Sequence, residues 1–209
     1  HATPLTVATG RRVGPVVHRF VGFGGIAFVN GWLGDFRHLK IVAIASASGG
    51  AARGIVRLSG PTVVECLREQ FAADDETSWQ AETSPTAFDG QFTIGPDLRL
   101  PCQLLLWPGK RSYTREPLAE LHTLGSPPLL EAMVESLCER GARPAEPGEF
   151  TLRAFLAGRI DLTQAEAVLG VIDAETDAGL QIALGQLAGG LAAPLQQIRD
   201  QLINLLAEL

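Results

Sequence analysis

The chain has 209 residues, 46% of them apolar and 19% charged, with a formal net charge of −6. That length can bury a proper core, the composition is that of an ordered protein, and the acidic balance argues against a stand-alone nucleic-acid binder, which would carry a basic face. Three cysteines (Cys66, Cys102, Cys138) lie far apart with none in a CxxC, and the four histidines (His1, His18, His38, His122) are equally scattered. Neither a zinc site nor a disulfide framework is expected, and a reducing, cytoplasmic setting fits the odd cysteine count. The uncharged, glycine-rich run 20–34 falls short of the roughly 20 residues a membrane-spanning helix needs, and no membrane association is expected.

Residues 1–39 place Arg11, Arg12, Arg19 and Arg37 against one acid, Asp35, among many glycines. They read as a basic, poorly ordered extension, with an organelle-type presequence as the alternative. A first residue of histidine, not methionine, suggests a fragment or a processed form. From Lys40 the pattern sharpens. "KIVAIASAS" and "GIVRLSG" (54–60) are apolar, β-branched strand candidates joined by the loop "GGAARG". "PTVVECLREQF" (61–71) reads as a helix, with Pro61 suited to its first turn and Val64, Leu67 and Phe71 on one face. Residues 72–90 are acidic and turn-rich, the signature of a surface loop. "FTIG", "LPCQLLLWPG" and "PLAELHTL" (117–124) supply further strands. "PPLLEAMVESLCERG" (127–141) is a second helix, opened by proline and closed by Gly141.

After Gly148 the strand signals end. Thr163 and Glu166 have capping-box spacing, with a helix expected to run to about Asp177. Leu180, Leu184, Leu187, Leu191, Leu195, Ile198, Leu202, Leu205 and Leu209 then recur every three or four residues as an amphipathic stripe. Pro194 is expected to kink it. The stripe is uncapped at the last residue, so more helical protein is expected to follow. The layout is an α+β module over 40–155 and the first helices of an all-helical module over 156–209.

Motifs for chemistry are sparse. Gly49 and Gly54 have Walker-A spacing, but Ile55-Val56 replaces the Lys-Ser/Thr that would reach the phosphates and Mg²⁺, so a flexible connection between strands is the better reading. Ser112, His122 and Glu116 could form a hydrolytic triad, yet no nucleophile elbow surrounds any serine. Cys102, inside a strand, reads as core. Three charged residues stand in otherwise apolar or turn contexts: Arg57, for which edge-strand solvation is the bland explanation; Glu120 in "PLAEL"; and Arg159 after Gly158. If they converge, a carboxylate could pair with an amidine-like edge while arginines fork onto carboxylates. The stretch "PGEFTLRAFLAGRIDLTQAEA" (147–167) sets Arg153, Arg159 and Asp161 beside Phe150, Phe155 and Leu156. It reads as a binding corner for something anionic and flat, or as a helix with one wet face.

That stretch, with "IVAIASASGGAARGIVRLSG" (41–60) and "WPGKRSYTREPLAEL" (107–121), resembles the N-terminal part of the MnmE (TrmE) family of tRNA-modification GTPases over residues 41–209. The resemblance implies an α+β, tetrahydrofolate-binding fold similar to that of aminomethyltransferases, acting as a homodimer. It implies a reduced folate, 5-formyl- or 5,10-methylene-tetrahydrofolate, bound near the dimer interface and supplying a one-carbon unit. It also implies an FAD-containing partner, MnmG, and a product modified at C5 of the wobble uridine of tRNA. GTP, Mg²⁺ and K⁺ would belong to a GTPase domain beyond Leu209. By the same resemblance Arg57, Glu120 and Arg159 fall on the family's folate-contacting positions. Glu120 would accept from the pterin 2-amino and ring N–H, and the arginines would orient the ligand or hold its acidic tail. No catalytic residue is expected in these residues, the chemistry being the cofactors'.

The departures from the family pattern lie in loops: "SASGGAAR" in place of a proline- and glycine-rich turn, Thr114-Arg115-Glu116-Pro117 without a glycine, Thr123-Leu124-Gly125-Ser126 with fewer glycines, and Ala157 in place of asparagine. They motivate the alternative of a divergent dimerisation or interaction module that has lost folate. A stand-alone folate-dependent one-carbon transferase is the third reading.

Overall fold

The computed structural model describes residues 39–75, 78–96, 98–188 and 192–207. All of the basic extension except Leu39 lies outside them, as do Leu191 and Leu209 of the stripe. Seven strands form one sheet: β1 (Lys40–Ile44), β2 (Ala51–Ser59), β3 (Phe71–Ala73), β4 (Thr86–Ile94), β5 (Leu98–Trp107), β6 (Leu118–Gly125) and β7 (Ala142–Pro144), in the order β3-β4-β5-β6-β2-β1-β7. Every pair is antiparallel except β1–β7. The helices are α1 (Val63–Leu67), α2 (Pro127–Glu139), α3 (Glu149–Leu156), α4 (Leu162–Ile172), α5 (Asp177–Leu187) and α6 (Ala192–Ala207). Helix α2 is the crossover that carries the chain from β6 to β7, as a parallel addition to a sheet requires.

Period-two alternation decides which face of the sheet is dry. Val56 and Leu58 of β2, Leu104 and Leu106 of β5, and Ala119 and Leu121 of β6 are buried against α1 and α2 through Val63, Leu67, Leu130, Met133 and Leu137. Each such aliphatic side chain contributes about 1.5–3 kcal/mol on burial. Phe71 and Trp79 close one end edge to face, their rings 5.6 Å apart. Gly60, at φ +147, lets β2 turn into α1 where a Cβ would meet the Lys40 Cα at 2.8 Å.

Several expectations need correction. The helix expected over 61–71 is only α1. Thr62 makes no side-chain cap, and Val63-Val64 are stiff, β-branched residues. The chain has already turned by Gln70, whose carbonyl accepts from Thr93 N at 2.7 Å to lead into β3. The loop expected over 72–90 therefore holds the end of β3, a 3₁₀ turn at Trp79–Ala81 and the start of β4. Strand β7 carried no signal, being three residues long.

The box that caps α4 is built on Asp161, not Thr163. Asp161 Oδ1 accepts from Gln164 N at 2.8 Å, and Gln164 Oε1 accepts from Asp161 N at 3.0 Å. Helix α4 ends at Ile172, and Thr176 caps α5. Pro194 is the third residue of α6 and kinks nothing, since a first-turn N–H has no intrahelical partner to lose. Leu195, Ile198, Leu202 and Leu205 along α6 are exposed.

Candidate binding site

The second face of the sheet is only half covered, and it carries a polar row. Arg57 of β2 pairs in register with Glu120 of β6, and His122 of β6 sits opposite both Ile55 and Gln103. Arg57 donates to Glu120 Oε1 from Nε at 2.9 Å, with Nη2 in ion-pair contact at 2.7 Å, while Glu120 Oε2 lies 3.1 Å from His122 Nε2. The row continues through Gln103, which donates to Asp89 at 2.9 Å. Edge-strand solvation does not explain Arg57: β2 lies between β6 and β1, inside the sheet. The pair is nonetheless reachable, the Arg57 side chain being 30% and that of Glu120 15% exposed. His122 Nδ1 is buried with no hydrogen-bond partner among the described residues.

Helix α3 roofs one end of this row. Gly148 opens it in a left-handed conformation (φ +76), and the Phe150 ring lies 5.7 Å from the Arg57 guanidinium carbon. The helix is locked down by a charged cluster that is structural. Glu149 accepts from Arg143 Nη2 at 2.6 Å and Nη1 at 2.8 Å, and from Arg153 Nη2 at 3.1 Å. Arg153 also reaches Glu116 at 3.1 Å and the Leu39 carbonyl at 3.0 Å. Burial works to raise the Glu149 pKa, but the bonds from Arg143 and the Glu146 amide, with the charge of Arg153, hold it below the ordinary value.

The structure thus divides the residues singled out in the sequence. Arg57 and Glu120 come together. Arg153 anchors a helix and Asp161 caps one. Arg159 follows the C-terminal end of α3, about 10 Å of helix from the Phe150 end. No hydrogen bond or ion pair joins it to Arg57 or Glu120 among the described residues. It is exposed and lines a concavity of about 250 Å³ with Lys110, Arg111, Ser112 and Arg115.

His122 and Phe150 were named in the sequence for other reasons, a weighed hydrolytic triad and the 147–167 stretch, and not grouped with Arg57 and Glu120. His122 was legible, lying two residues from Glu120 on one strand and so on the same face; Phe150 depends on how α3 docks.

The hydrolytic alternative dissolves. Ser112 Oγ donates to the Glu116 carbonyl at 2.5 Å, while His122 bonds Glu120. Burial pushes the Cys102 thiol up to about 12, unsuited to a nucleophile. Among the described residues no His/Cys/Asp/Glu group could hold a metal ion, and no helix is long and apolar enough to cross a membrane.

A family model described as GTP-binding protein TrmE N-terminus matches residues 40–159. The chain is 49% identical over 170 residues to the tRNA modification GTPase MnmE of Rhodopirellula baltica, an alignment covering 80% of this chain and 36% of that protein. It is 40% identical over 180 residues to the protein of the same name from Synechococcus sp., covering 85% and 38%. With that of Aquifex aeolicus it shares 41% over 167 residues, covering 80% and 36%. The matches therefore span little more than a third of these curated relatives.

Proposed function

The chain belongs to the TrmE N-terminal family of tRNA-modification GTPases, and on that footing we propose that its half-open sheet face binds a reduced folate through Glu120. The observation that carries this is a carboxylate fixed mid-strand between Arg57 and His122, sheltered on a face that the fold does not fill. A pterin offers a 2-amino group and a ring N–H side by side, the donor pair that a carboxylate accepts.

The fit has a definite requirement. Oε1 already accepts from Arg57 Nε and has Nη2 against it at 2.7 Å, whereas Oε2 has only His122, at 3.1 Å, among the described residues. A ligand donating to both oxygens must share Oε1 with Arg57 or move its guanidinium aside. Arg57 is exposed enough to yield, and Phe150 offers its ring to the guanidinium. Arg57 and Arg159 then supply positive charge for the acidic tail. The folate, when bound, would supply the one-carbon unit.

In this reading the chain works as a homodimer in the cytoplasm, within an assembly that includes the flavoprotein MnmG and acts on C5 of the tRNA wobble uridine. GTP, Mg²⁺ and K⁺ belong to a GTPase domain of the whole protein. Calorimetric titration with 5-formyltetrahydrofolate monoglutamate tests the ligand. Saturable binding by the wild type, weakened at least about tenfold in Glu120→Gln, is expected from the loss of a charge-assisted pair. Equal binding by both proteins, or none by a folded wild type, contradicts it. One observation favours a second reading, a dimerising module without folate: Glu120 is already satisfied by Arg57 and His122. The same titration decides between them.

A further inference from the structure

The turn from β5 to β6, residues 108–117, is built in two layers. Its hydroxyl side chains are buried and tied down: Ser112 to the Glu116 carbonyl at 2.5 Å, and Thr114 to Ser59 at 2.7 Å. The Glu116 carboxylate accepts from Arg153 at 3.1 Å. Its cations, Lys110, Arg111 and Arg115, are all exposed. Arg115 alone among the described non-glycine residues has a positive φ, +56. A left-handed conformation disfavours an arginine, and such strain collects at ligand sites.

These three cations and Arg159 line the 250 Å³ concavity with no carboxylate among the lining residues. None of the four has an ion-pair partner among the described residues. Like charges so gathered repel one another, and in a chain of net charge −6 there is no shortage of acids to offset them. The concavity shares Lys110 and Arg115 with a neighbouring cavity of about 330 Å³, walled in part by Leu156 and Ala157 of the α3 end.

We propose that this basic concavity binds the oligo-γ-glutamate tail of a polyglutamylated folate, so that the chain prefers polyglutamates to the monoglutamate. The proposal rests on the folate reading above. A folate carries its pterin at one end and its carboxylates at the other, and α3 separates Glu120 from the four cations in the same sense. Each added γ-glutamate brings one more carboxylate to guanidinium groups that can take it bidentately. The size of the concavity suits a few carboxylates, whereas an RNA backbone would want a longer basic stripe.

The test is calorimetric titration with 5-formyltetrahydrofolate as monoglutamate and as γ-linked triglutamate. It uses the wild type and the double variant Arg111→Ala/Arg115→Gly, which removes two cations and relieves the strained φ. The wild type is expected to bind the triglutamate about tenfold more tightly, a preference that shrinks with added salt. In the variant the two ligands are expected to bind within about twofold of each other, with monoglutamate affinity unchanged. Equal binding of both ligands by the wild type overturns the tail site and leaves the folate reading standing. Absence of binding by either ligand overturns both. A short RNA oligonucleotide that binds the wild type, is lost in the variant, and accompanies no triglutamate preference would assign the concavity to nucleic acid and overturn the proposal.

Discussion

Arg57 and Glu120 face each other across β2 and β6, with Nη2 2.7 Å from Oε1, on the face of the sheet that the core leaves half open. Glu149 and Arg153, one turn apart on α3, make a pair of the same chemistry at 3.1 Å, but their side chains are only 2% and 6% exposed. The first pair can be opened by a ligand or by water. The second cannot.

That contrast sets the first expectation. Glu120→Gln leaves its partner where water can solvate it and should cost about 1 kcal/mol or less of folding stability. Glu149→Ala takes away the buried carboxylate that Arg143 and Arg153 share and should cost about 3–5 kcal/mol. Urea unfolding of the two variants checks the difference. Equal losses would mean that the Arg57–Glu120 pair is structural after all.

Acid should act through Glu149. Its folded-state pKa lies below its ordinary value of 4.5 because the hydrogen bonds and charges around it outweigh its burial. The unfolded chain therefore binds more protons in that range. The stabilisation is fully present above pH 4.5 and is lost as pH falls through the lower, folded pKa. Unfolding free energy followed from pH 6 to pH 3 should decline, and Glu149→Gln should flatten part of that decline. An identical slope in the variant would assign acid sensitivity to other carboxylates.

Cys102 should be chemically silent in the native state. Burial pushes its thiol up to about 12, and Cys66 and Cys138 are shifted upward as well, chiefly by burial. Alkylation at pH 8, read by peptide mass spectrometry, should leave Cys102 unmodified until denaturant is added. Rapid native labelling of Cys102 would contradict the placement of β5 in the core.

Asp161→Ala should weaken the start of α4 by about 0.5–2 kcal/mol, the usual worth of an N-cap. Thr163→Ala should do less, because Thr163 only donates to Asp161 Oδ1 at 2.7 Å. Thermal unfolding of the two variants ranks them. A larger loss for Thr163→Ala would restore the box to the position that the Thr-x-x-Glu spacing suggests.

The strands and α2 were legible because their signals are local: β-branched alternation in "GIVRLSG", and a proline-opened helix closed by Gly141. Short elements were not. β7 has three residues and exists only because α2 delivers it beside β1, a tertiary fact. The capping error has a similar origin, since Asp161-x-x-Gln164 and Thr163-x-x-Glu166 both suit a helix start, and only the chain's exit from α3 selects the first. In the site, Arg57 and Glu120 could be singled out as charges in apolar strands, and register then made them partners. Arg153 looked like Arg159 in the sequence; burial separates them, one as an anchor and the other as an exposed cation with no ion-pair partner among the described residues. Nothing in Thr114-Arg115-Glu116 announced a left-handed arginine, because the bonds that bracket it, Thr114 to Ser59 and Ser112 to the Glu116 carbonyl, belong to the folded turn.

Amide chemical-shift mapping during titration with monoglutamyl 5-formyltetrahydrofolate decides whether Glu120 is the ligand's acceptor. Saturating shifts centred on Glu120, His122 and Arg57, extending to Phe150, are the expected result. Shifts confined to the 110–116 turn and Arg159, or none in a folded chain, would contradict it.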